Sequence, residues 1–427
     1  MKIESSAITD HNQDFYSSHK TEIDFLNKKM DTKGFDLEGI IKKVIDFNVA
    51  IPSWALGTGG TRFGRFPTGG EPRNLEEKIE DVGLLHALNK SSGAISLHIP
   101  WDIPENYDNI KSLASNLDLK FDAVNSNTFQ DQENQTLSYK YGSLSHTKKQ
   151  VRQLAIDHNK EVIDHGIQLG SKSITVWLSD GSNFPGQQNF RKALMRTLDS
   201  LLEIYDHLPN DWKVLVEYKP FEPNFYSTVI PDWGTSLLLA SKLGNKAFSL
   251  VDLGHHLPNT NIEQIVATLM LEGKLGGFHF NDSIFADDDL TVGAIKPYQL
   301  FLIFNELIYG MEDKANYTQP LSWMIDASHN VKDPLEDLLQ SVEAIKIAYA
   351  QALLVDRQKL EEARETNDVV LAQNILQDAF RTDVRSIISE ARIRMGAACN
   401  PVGLFRSLKI RDQLIKERGL KTIATGL

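Results

Sequence analysis

The sequence contains a single cysteine, Cys399, and no apolar run of about 18 residues. One thiol excludes an internal disulfide framework and a zinc site built on cysteines. The missing run excludes a conventional transmembrane helix, and the first residues show no apolar core of a secretion signal. We therefore expect a soluble, cytoplasmic protein with no membrane partner.

Positive charge is also scarce. The 427 residues include 45 Lys and Arg against 57 Asp and Glu, which gives a formal net charge of −12. Binding to nucleic acids needs clustered positive charge to neutralise phosphates, so we expect no nucleic-acid partner. A hydrophobic content of 41% and a charged content of 24% are ordinary for a globular protein with a large core.

A nucleotide-binding loop is a third absence. The segment Gly57–Gly70, GTGGTRFGRFPTGG, is rich in glycine, but it lacks the Lys-Ser/Thr ending of a P-loop. No GxGxxG motif opens a helix, as a dinucleotide-binding fold would require. We interpret the segment as a long flexible loop, whose arginines and phenylalanines could reach over a site or a neighbouring subunit.

Short apolar runs alternate with amphipathic stretches along most of the chain. The runs have the length of buried strands, and the stretches have helical spacing. Eight strand–helix repeats in about 300 residues favour a closed (β/α)8 TIM barrel over an open doubly wound sheet. The predicted strands are Phe47–Trp54, Ala94–Pro100, Lys120–Asn125, Lys172–Trp177, Lys213–Lys219, Ala247–Asp252, Leu275–Asn281 and Leu321–Asp326.

After Pro334 the alternation stops. Asp337–Glu362, about Asn367–Arg394 and about Pro401–Lys416 have helical spacing. We therefore divide the chain into an N-terminal lead-in segment (1–36), a barrel catalytic domain (37–335) and a C-terminal α-helical extension (336–427). We expect the extension to brace the barrel or to serve in oligomerisation.

Four consecutive predicted strands, the fifth to the eighth, deliver an ionisable residue to one rim: Glu217, Asp252, His279 and Asp326. The C-terminal ends of barrel strands converge there, and active sites lie at that end. Burying several carboxylates together is prohibitive without positive charge among them. Oxygen and imidazole ligands suit Mn, Mg, Co or Zn, so these four residues predict a divalent metal site.

A second ion is predicted from His255, Asp287 and Asp289, with Glu217 bridging the two ions. Each residue alone has a plainer interpretation. A carboxylate at a strand end is commonly a helix cap or an ion-pair partner, a histidine there is commonly scaffold, and an Asp287–Asp289 run is typical of a solvated loop. Because four adjacent strands each carry such a residue at the same end, a metal site is favoured over these separate interpretations. Outer or structural positions are expected for His256, Asp282, Asp288 and His329.

Other residues at the rim indicate a small polyol as the ligand. They are His98 and Trp101 after the second strand, Asn125 and Phe129 after the third, and Trp177 after the fourth. Aromatic faces and scattered polar groups suit a sugar, although the two tryptophans could simply plug the barrel mouth. Lys219, two residues after Glu217, could neutralise a carboxylate or donate to a substrate oxygen.

Several long motifs are similar to those of a known family. They are IPSWALGTGGTRFGRFP, SLHIPWD, NSNTF, SYKYGSLSHT, TVWLSDGSNFPGQ, EYK, VDLGHHLPNTNIE, GGFHFNDS with the DDDL that follows it, and MIDASHN. Taken together they resemble the L-rhamnose isomerases of the broad-specificity bacterial type, among the xylose-isomerase-like barrels, over nearly the whole chain. The resemblance implies a (β/α)8 barrel, a homotetramer and two divalent ions, typically Mn²⁺. It also implies interconversion of L-rhamnose and L-rhamnulose, with looser activity on sugars such as D-allose and D-psicose.

The resemblance also implies roles for residues. Trp177, Lys219, His98 and Asp326 would lie near the sugar, and Phe63 would reach into a neighbouring subunit's site. It implies one ion on Glu217, Asp252, His279 and Asp326, and a catalytic ion on Glu217, His255, Asp287 and Asp289. Tyr218 and Pro220 depart from the family's pattern, which leaves the preferred sugar open.

Two chemical routes exist for such an isomerisation. An ene-diol route needs a base against C2, whereas a hydride route uses a metal that polarises the carbonyl. Carboxylates already used as ligands favour the hydride route, with Lys219 and Asp326 guiding the oxygen proton. The alternatives are a ketose 3-epimerase, a catalytically silent sugar-binding relative, and a metal-dependent phosphodiesterase or endonuclease, which the acidic balance disfavours.

Overall fold

A computed structural model describes residues 3–59, 66–221, 227–312, 320–329 and 331–422. Eight parallel strands close into a barrel, and each pairs with the strand of the next βα repeat. The strands are β1 Ala50–Pro52, β2 Ala94–Ile99, β3 Lys120–Ser126, β4 Ser173–Val176, β6 Lys213–Glu217, β8 Ala247–Asp252, β9 Leu275–Phe280 and β10 Ser322–Ile325, while β5 Gly181–Ser182 and β7 Ser227–Thr228 form a separate antiparallel pair. The predicted (β/α)8 TIM barrel is confirmed, since every predicted strand overlaps a barrel strand.

Helices follow the barrel strands and pack around them. Most begin at an Asn or Asp whose side chain accepts a hydrogen bond from a backbone N–H of the first turn, as Asn74 and Asp232 do. The helices are α1 Ser5–Lys33, α2 Leu37–Asp46, α3 Leu75–Asn89, α4 Tyr107–Asn116, α5 Lys149–Leu169, α6 Phe190–His207, α7 Trp233–Leu243, α8 Ile262–Leu271, α9 Pro297–Glu312, α10 Pro334–Leu353, α11 Arg357–Glu365, α12 Val369–Phe380, α13 Arg385–Arg394, α14 Pro401–Ser407 and α15 Ile410–Arg418.

Strand register places the ionisable strand ends side by side. Asp252 of β8 is the register partner of His279 of β9. Alternate residues of a barrel strand face the interior, so the residues two positions earlier lie directly beneath them. A buried apolar layer inside the barrel consists of Ala123, Leu215, Phe248 and Leu250. An apolar layer of side chains therefore lies directly beneath the charged strand ends.

The C-terminal α-helical extension consists of more and shorter helices than predicted. The predicted helix over 337–362 is two helices, because Asp356 caps α11 through the N–H of Lys359. The helix predicted over 367–394 is interrupted between α12 and α13, and the last one is interrupted at Lys409, whose φ is 51°. The division at residues 36 and 335 stays a proposal.

The segments at the two ends of the chain pack against each other and against the barrel. The lead-in forms the 29-residue helix α1, which contacts α13, and α13 also packs on α2. Helix α10 packs against α9, α2 and α3. Among the described residues no single helix is long and apolar enough to cross a membrane, and only the bent pair of α10 and α11, taken together, meets that length and composition.

Candidate active site

Four side chains from consecutive barrel strands meet at the C-terminal end of the barrel. One ligand atom from each of Glu217, Asp252, His279 and Asp326 lies within 4.8 Å of the others. His279 Nδ1 lies 3.3 Å from Glu217 Oε1 and 3.7 Å from both Asp252 Oδ2 and Asp326 Oδ2. The structure thus brings together the set predicted for the first ion, which we call cluster 1.

Cluster 1 fits a divalent cation. Asp252 Oδ2 and His279 Nδ1 are buried and form no hydrogen bond with any described residue, which is costly unless another group satisfies them. An ion with ligand distances of about 2.1–2.3 Å holds its ligand atoms roughly 3–4.5 Å apart, as here. Three carboxylates and an imidazole suit Mn²⁺, Mg²⁺, Co²⁺ or Zn²⁺.

A second group, cluster 2, consists of Asp252, His255 and Asp287, again with ligand atoms within 4.8 Å of one another. His255 Nε2 lies 3.4 Å from Asp287 Oδ1. His255 Nδ1 lies 3.0 Å from the carbonyl oxygen of Tyr218, and such a bond leaves Nε2 available as a ligand. The ring also approaches Glu217 Oε1 to 3.2 Å, so Glu217 touches both clusters.

Asp289 was predicted as a further ligand of the second ion. It is buried and lines the same pocket as both clusters. Its Oδ2 accepts a hydrogen bond from Ser328 Oγ at 3.0 Å. Cluster 2 contains Asp252 where the prediction placed Glu217 and Asp289, although Glu217 and Asp289 line the same pocket as His255 and Asp287.

The pKa values reflect an excess of negative charge in this space. Burial and neighbouring carboxylates raise the pKa of Asp326 to about 7. Burial also raises the pKa of Asp252. Burial disfavours the charged form of His279, but the carboxylates around it outweigh that effect and raise its pKa to about 9. These raised pKa values show that the space favours added positive charge, which a divalent cation would supply.

The opposite wall of the pocket is aromatic and comes from the first four barrel strands. The ring of His98 lies 4.3 Å from that of Trp101 and 5.7 Å from that of Phe129. Phe129 lies 5.0 Å from Trp177. Burial lowers the pKa of His98 to about 3, so its ring is neutral at pH 7. Four of the five predicted substrate residues, His98, Trp101, Phe129 and Trp177, line the pocket, and the fifth, Phe63, lies outside the described residues.

Lys219 stands where the two walls meet. Its Nζ is 2.6 Å from Asp287 Oδ2 and 5.1 Å from the ring centre of Trp177. Only 4% of the side chain is exposed. The predicted neutralisation of a carboxylate is therefore present in the structure, and the ammonium lies at the edge of the pocket.

Trp54 is a site residue that the sequence analysis missed. Its Nε1 donates to Asp326 Oδ1 at 2.8 Å, and its ring meets that of His98 edge-on at 5.4 Å. The strand-end rule could have found it, because Trp54 follows the first strand. Asp102 was also missed. It accepts from the backbone N–H of His98 at 2.8 Å and from Lys78 Nζ at 2.6 Å, so it fixes the loop of Trp101 to the end of β2, which carries His98.

The four residues expected in outer or structural positions hold loops. His256 is hydrogen-bonded to the hydroxyl of Tyr218 at 2.8 Å. Asp282 accepts from the backbone N–H of Ile295 and Lys296, and Asp288 accepts from those of Ile284 and Phe285. His329 pairs with Asp337 at 2.9 Å.

Comparison with known proteins identifies the family. No protein-family model matches the chain. A probable sugar isomerase of Rhizobium meliloti (strain 1021) is 49% identical over 418 residues, which cover 98% of this chain and 97% of the relative. A probable sugar isomerase of Mesorhizobium japonicum is 50% identical over 401 residues, covering 94% and 93%. The chain belongs to this sugar isomerase family. The resemblance drawn from the motifs is confirmed at this level.

Solved structures support the fold of this sugar isomerase family member. An L-ribulose 3-epimerase superposes with a TM-score of 0.53 at 15% identity, covering 74% of this chain and 98% of the epimerase. A 3-keto-D-glucoside 4-epimerase from E. coli gives a TM-score of 0.51 at 13% identity, covering 70% and 99%. At such low identity these likenesses concern the barrel alone.

Proposed function

We propose that this protein is a metal-dependent aldose–ketose isomerase that interconverts L-rhamnose and L-rhamnulose, with looser activity on sugars such as D-allose and D-psicose. The observation that carries the proposal is a single pocket with clusters 1 and 2 on one wall and aromatic rings on the other. Family membership supports the reaction class. Two divalent ions, Mn²⁺ foremost, a homotetramer and a cytoplasmic location complete the proposal.

The two walls suit the two ends of a 6-deoxy sugar. The charged wall matches the oxygens at C1 to C3, where the reaction takes place. The rings of Trp101, Phe129 and Trp177 provide apolar surface for the C6 methyl group of L-rhamnose, and burying such a group contributes about 0.8 kcal/mol. Trp177 Nε1 and His98 Nδ1 are buried without a hydrogen bond to any described residue, so each could satisfy a sugar hydroxyl.

A bound divalent cation would polarise the substrate carbonyl and stabilise negative charge on the neighbouring oxygen. The Lys219 ammonium can donate to an oxygen at the reacting end of the sugar. Asp326, oriented by Trp54, can hold the proton that moves between O1 and O2. The aromatic wall excludes water from the same space.

The distribution of carboxylates favours hydrogen transfer with its electron pair from C2 to C1. Among the described residues that line the pocket, the carboxylates Glu217, Asp287, Asp289 and Asp326 all lie on the charged wall. The aromatic wall offers no carboxylate there as a base against a substrate carbon. A ketose 3-epimerase would need carboxylates on opposite faces of C3.

The test is product analysis with and without metal. Protein loaded with Mn²⁺, and the same protein in EDTA, is incubated with L-rhamnose, L-lyxose, L-mannose and D-allose, and separately with D-psicose. We expect L-rhamnulose from L-rhamnose in the Mn²⁺ sample alone. Epimerisation of D-psicose at C3 without turnover of any aldose would instead identify a 3-epimerase. Binding without turnover would identify a silent sugar-binding protein.

The route is tested by running the reaction in heavy water. We expect little deuterium at C1 of the product, because the hydrogen moves directly between the two carbons. Substantial incorporation, measured by NMR or mass spectrometry, would support an ene-diol route instead.

A further inference from the structure

Helix α10 is hydrogen-bonded to two loops of the charged wall through one buried carboxylate, that of Asp337. Asp337, in the first turn of α10, is only 2% exposed. It accepts hydrogen bonds from Thr291 Oγ1, from His329 Nδ1 at 2.9 Å and from Lys332 Nζ at 3.1 Å. These donors come from two different loops, so the carboxylate joins both to the helix.

The two loops are those that deliver the predicted ligands. Thr291 follows Asp289 by two residues in the loop after β9, and His329 follows Asp326 by three residues after β10. Asp337 itself is not among the residues that line the pocket. Any effect of Asp337 on the site is therefore indirect and depends on where it holds the two loops.

Further bonds connect the same three segments. Ser341, one turn along α10, accepts from the backbone N–H of Val292 at 3.3 Å. Ser328 donates from its backbone N–H to the carbonyl of Asp289 at 3.0 Å and from Oγ to Asp289 Oδ2 at 3.0 Å. The Asp289 loop is thus attached to α10 on one side and to the β10 loop on the other.

The bonds to Asp337 are charge-assisted. Burial alone would raise the pKa of Asp337, but the bonds from His329 and Thr291 and the charge of Lys332 outweigh burial and hold the pKa below its ordinary value. Hydrogen bonds to an ionised carboxylate are roughly twice as strong as neutral ones. Such bonds suit a group that fixes the distance between two loops.

We infer that Asp337 is a positioning residue for the metal centre, which sets the spacing between the loops of Asp289 and Asp326. This inference rests on the metal sites of the proposed function. It gives α10, which begins the segment predicted to serve in oligomerisation, a part in cation binding within the same chain. Partners that orient metal ligands from behind typically affect metal affinity by 10- to 100-fold.

The experiment measures Mn²⁺ affinity by calorimetry on the full-length, metal-stripped protein. Asp337→Asn keeps the side-chain shape but replaces one acceptor oxygen with a donor, and Thr291→Val removes only the hydroxyl. We expect each to weaken the binding of one Mn²⁺ equivalent by about 10- to 100-fold. Asp333→Asn is the matched control, because the Asp333 carboxylate caps the same helix and pairs with Arg411, and among the described bonds it accepts none from Thr291, His329 or Lys332.

The outcomes separate this inference from the proposed function. A wild-type protein that binds no divalent cation would overturn both. Wild-type binding that is unchanged in both Asp337→Asn and Thr291→Val, with at most a lower melting temperature, would overturn the inference alone. Thr291→Val decides the matter if the Asp337 variant does not fold. The same loss in Asp333→Asn would show a general effect of the helix and would also overturn it.

Discussion

Glu217→Gln is the substitution that tests the candidate metal centre most directly. Glu217 Oε1 lies 3.2 Å from His255 Nδ1 and 3.3 Å from His279 Nδ1, and the side chain is 5% exposed. The change keeps the shape of the side chain and removes its charge. Because Glu217 touches both clusters, we expect binding of both cations to weaken.

The magnitude follows from the burial of the site. Removing one member of a buried charge pair costs about 3–5 kcal/mol, which corresponds to roughly 200- to 5,000-fold in affinity. At a Mn²⁺ concentration of 100 times the wild-type Kd, each site stabilises the wild-type fold by about 2.7 kcal/mol. A 200-fold weaker site contributes only about 0.2 kcal/mol at that concentration.

The assay counts metal per chain by mass spectrometry after gel filtration, and it follows isomerisation of L-rhamnose alongside. The control is Glu272→Gln, the same chemical change at an exposed position at the end of α8. We expect the control to retain wild-type metal content and rate. A Glu217→Gln protein with two tightly held Mn²⁺ ions and a full rate would refute the shared-ligand assignment.

Three further variants test separate contacts. Lys219→Met should lower the free energy of unfolding by about 3–5 kcal/mol in EDTA and by less in Mn²⁺, because a bound cation compensates Asp287; equal losses in urea titrations would exclude Asp287 as a ligand. Trp54→Phe removes a hydrogen bond to a carboxylate worth about 1.5–3 kcal/mol, so kcat should fall about 10- to 100-fold, and an unchanged kcat would mean that Asp326 needs no such orientation. Burial lowers the pKa of His86 in the folded protein to about 4. Below a pH of about 6.5 the unfolded chain therefore binds a proton at His86 that the folded protein does not, which lowers the free energy of unfolding. From pH 7 to pH 5 the wild type should lose about 2 kcal/mol more than His86→Gln, and identical losses by urea titration would contradict this.

The barrel and the charged strand ends were predictable for a common physical reason. Strands covered on both faces appear as short runs of apolar residues, as in β8 and β9, whose residues are all buried. Closure of the sheet then brings the strand ends together. The register that places Asp252 beside His279 follows from that closure. Position in the sequence therefore carried spatial information for cluster 1.

Trp54 was hidden because β1 has only three residues and runs directly into the 3₁₀ turn Ser53–Leu56. The apolar run Phe47–Trp54 looks like one buried strand, so Trp54 is taken for its last apolar residue, although its place at the strand end marks it as a candidate. The bond between Asp337 and Thr291 joins residues 46 positions apart, and no periodicity indicates such a pair. The break in the tail at Lys409 depends on a left-handed backbone conformation that a lysine seldom adopts.

The separation of the two walls has a consequence for specificity under the proposed function. The candidate cation ligands come from the barrel strands β6, β8, β9 and β10 and the loops after them, whereas the rings around His98 come from β1 to β4 and the loops after those. Aldoses that share their stereochemistry at C1 to C3 present the same oxygens to the charged wall. They differ at C4 to C6, which the aromatic wall would meet. Substitutions at Trp101 or Phe129 should therefore change the ratio of kcat/KM between L-rhamnose and D-allose, while substitutions in cluster 1 should lower both values together, since all these sugars depend on the same cations.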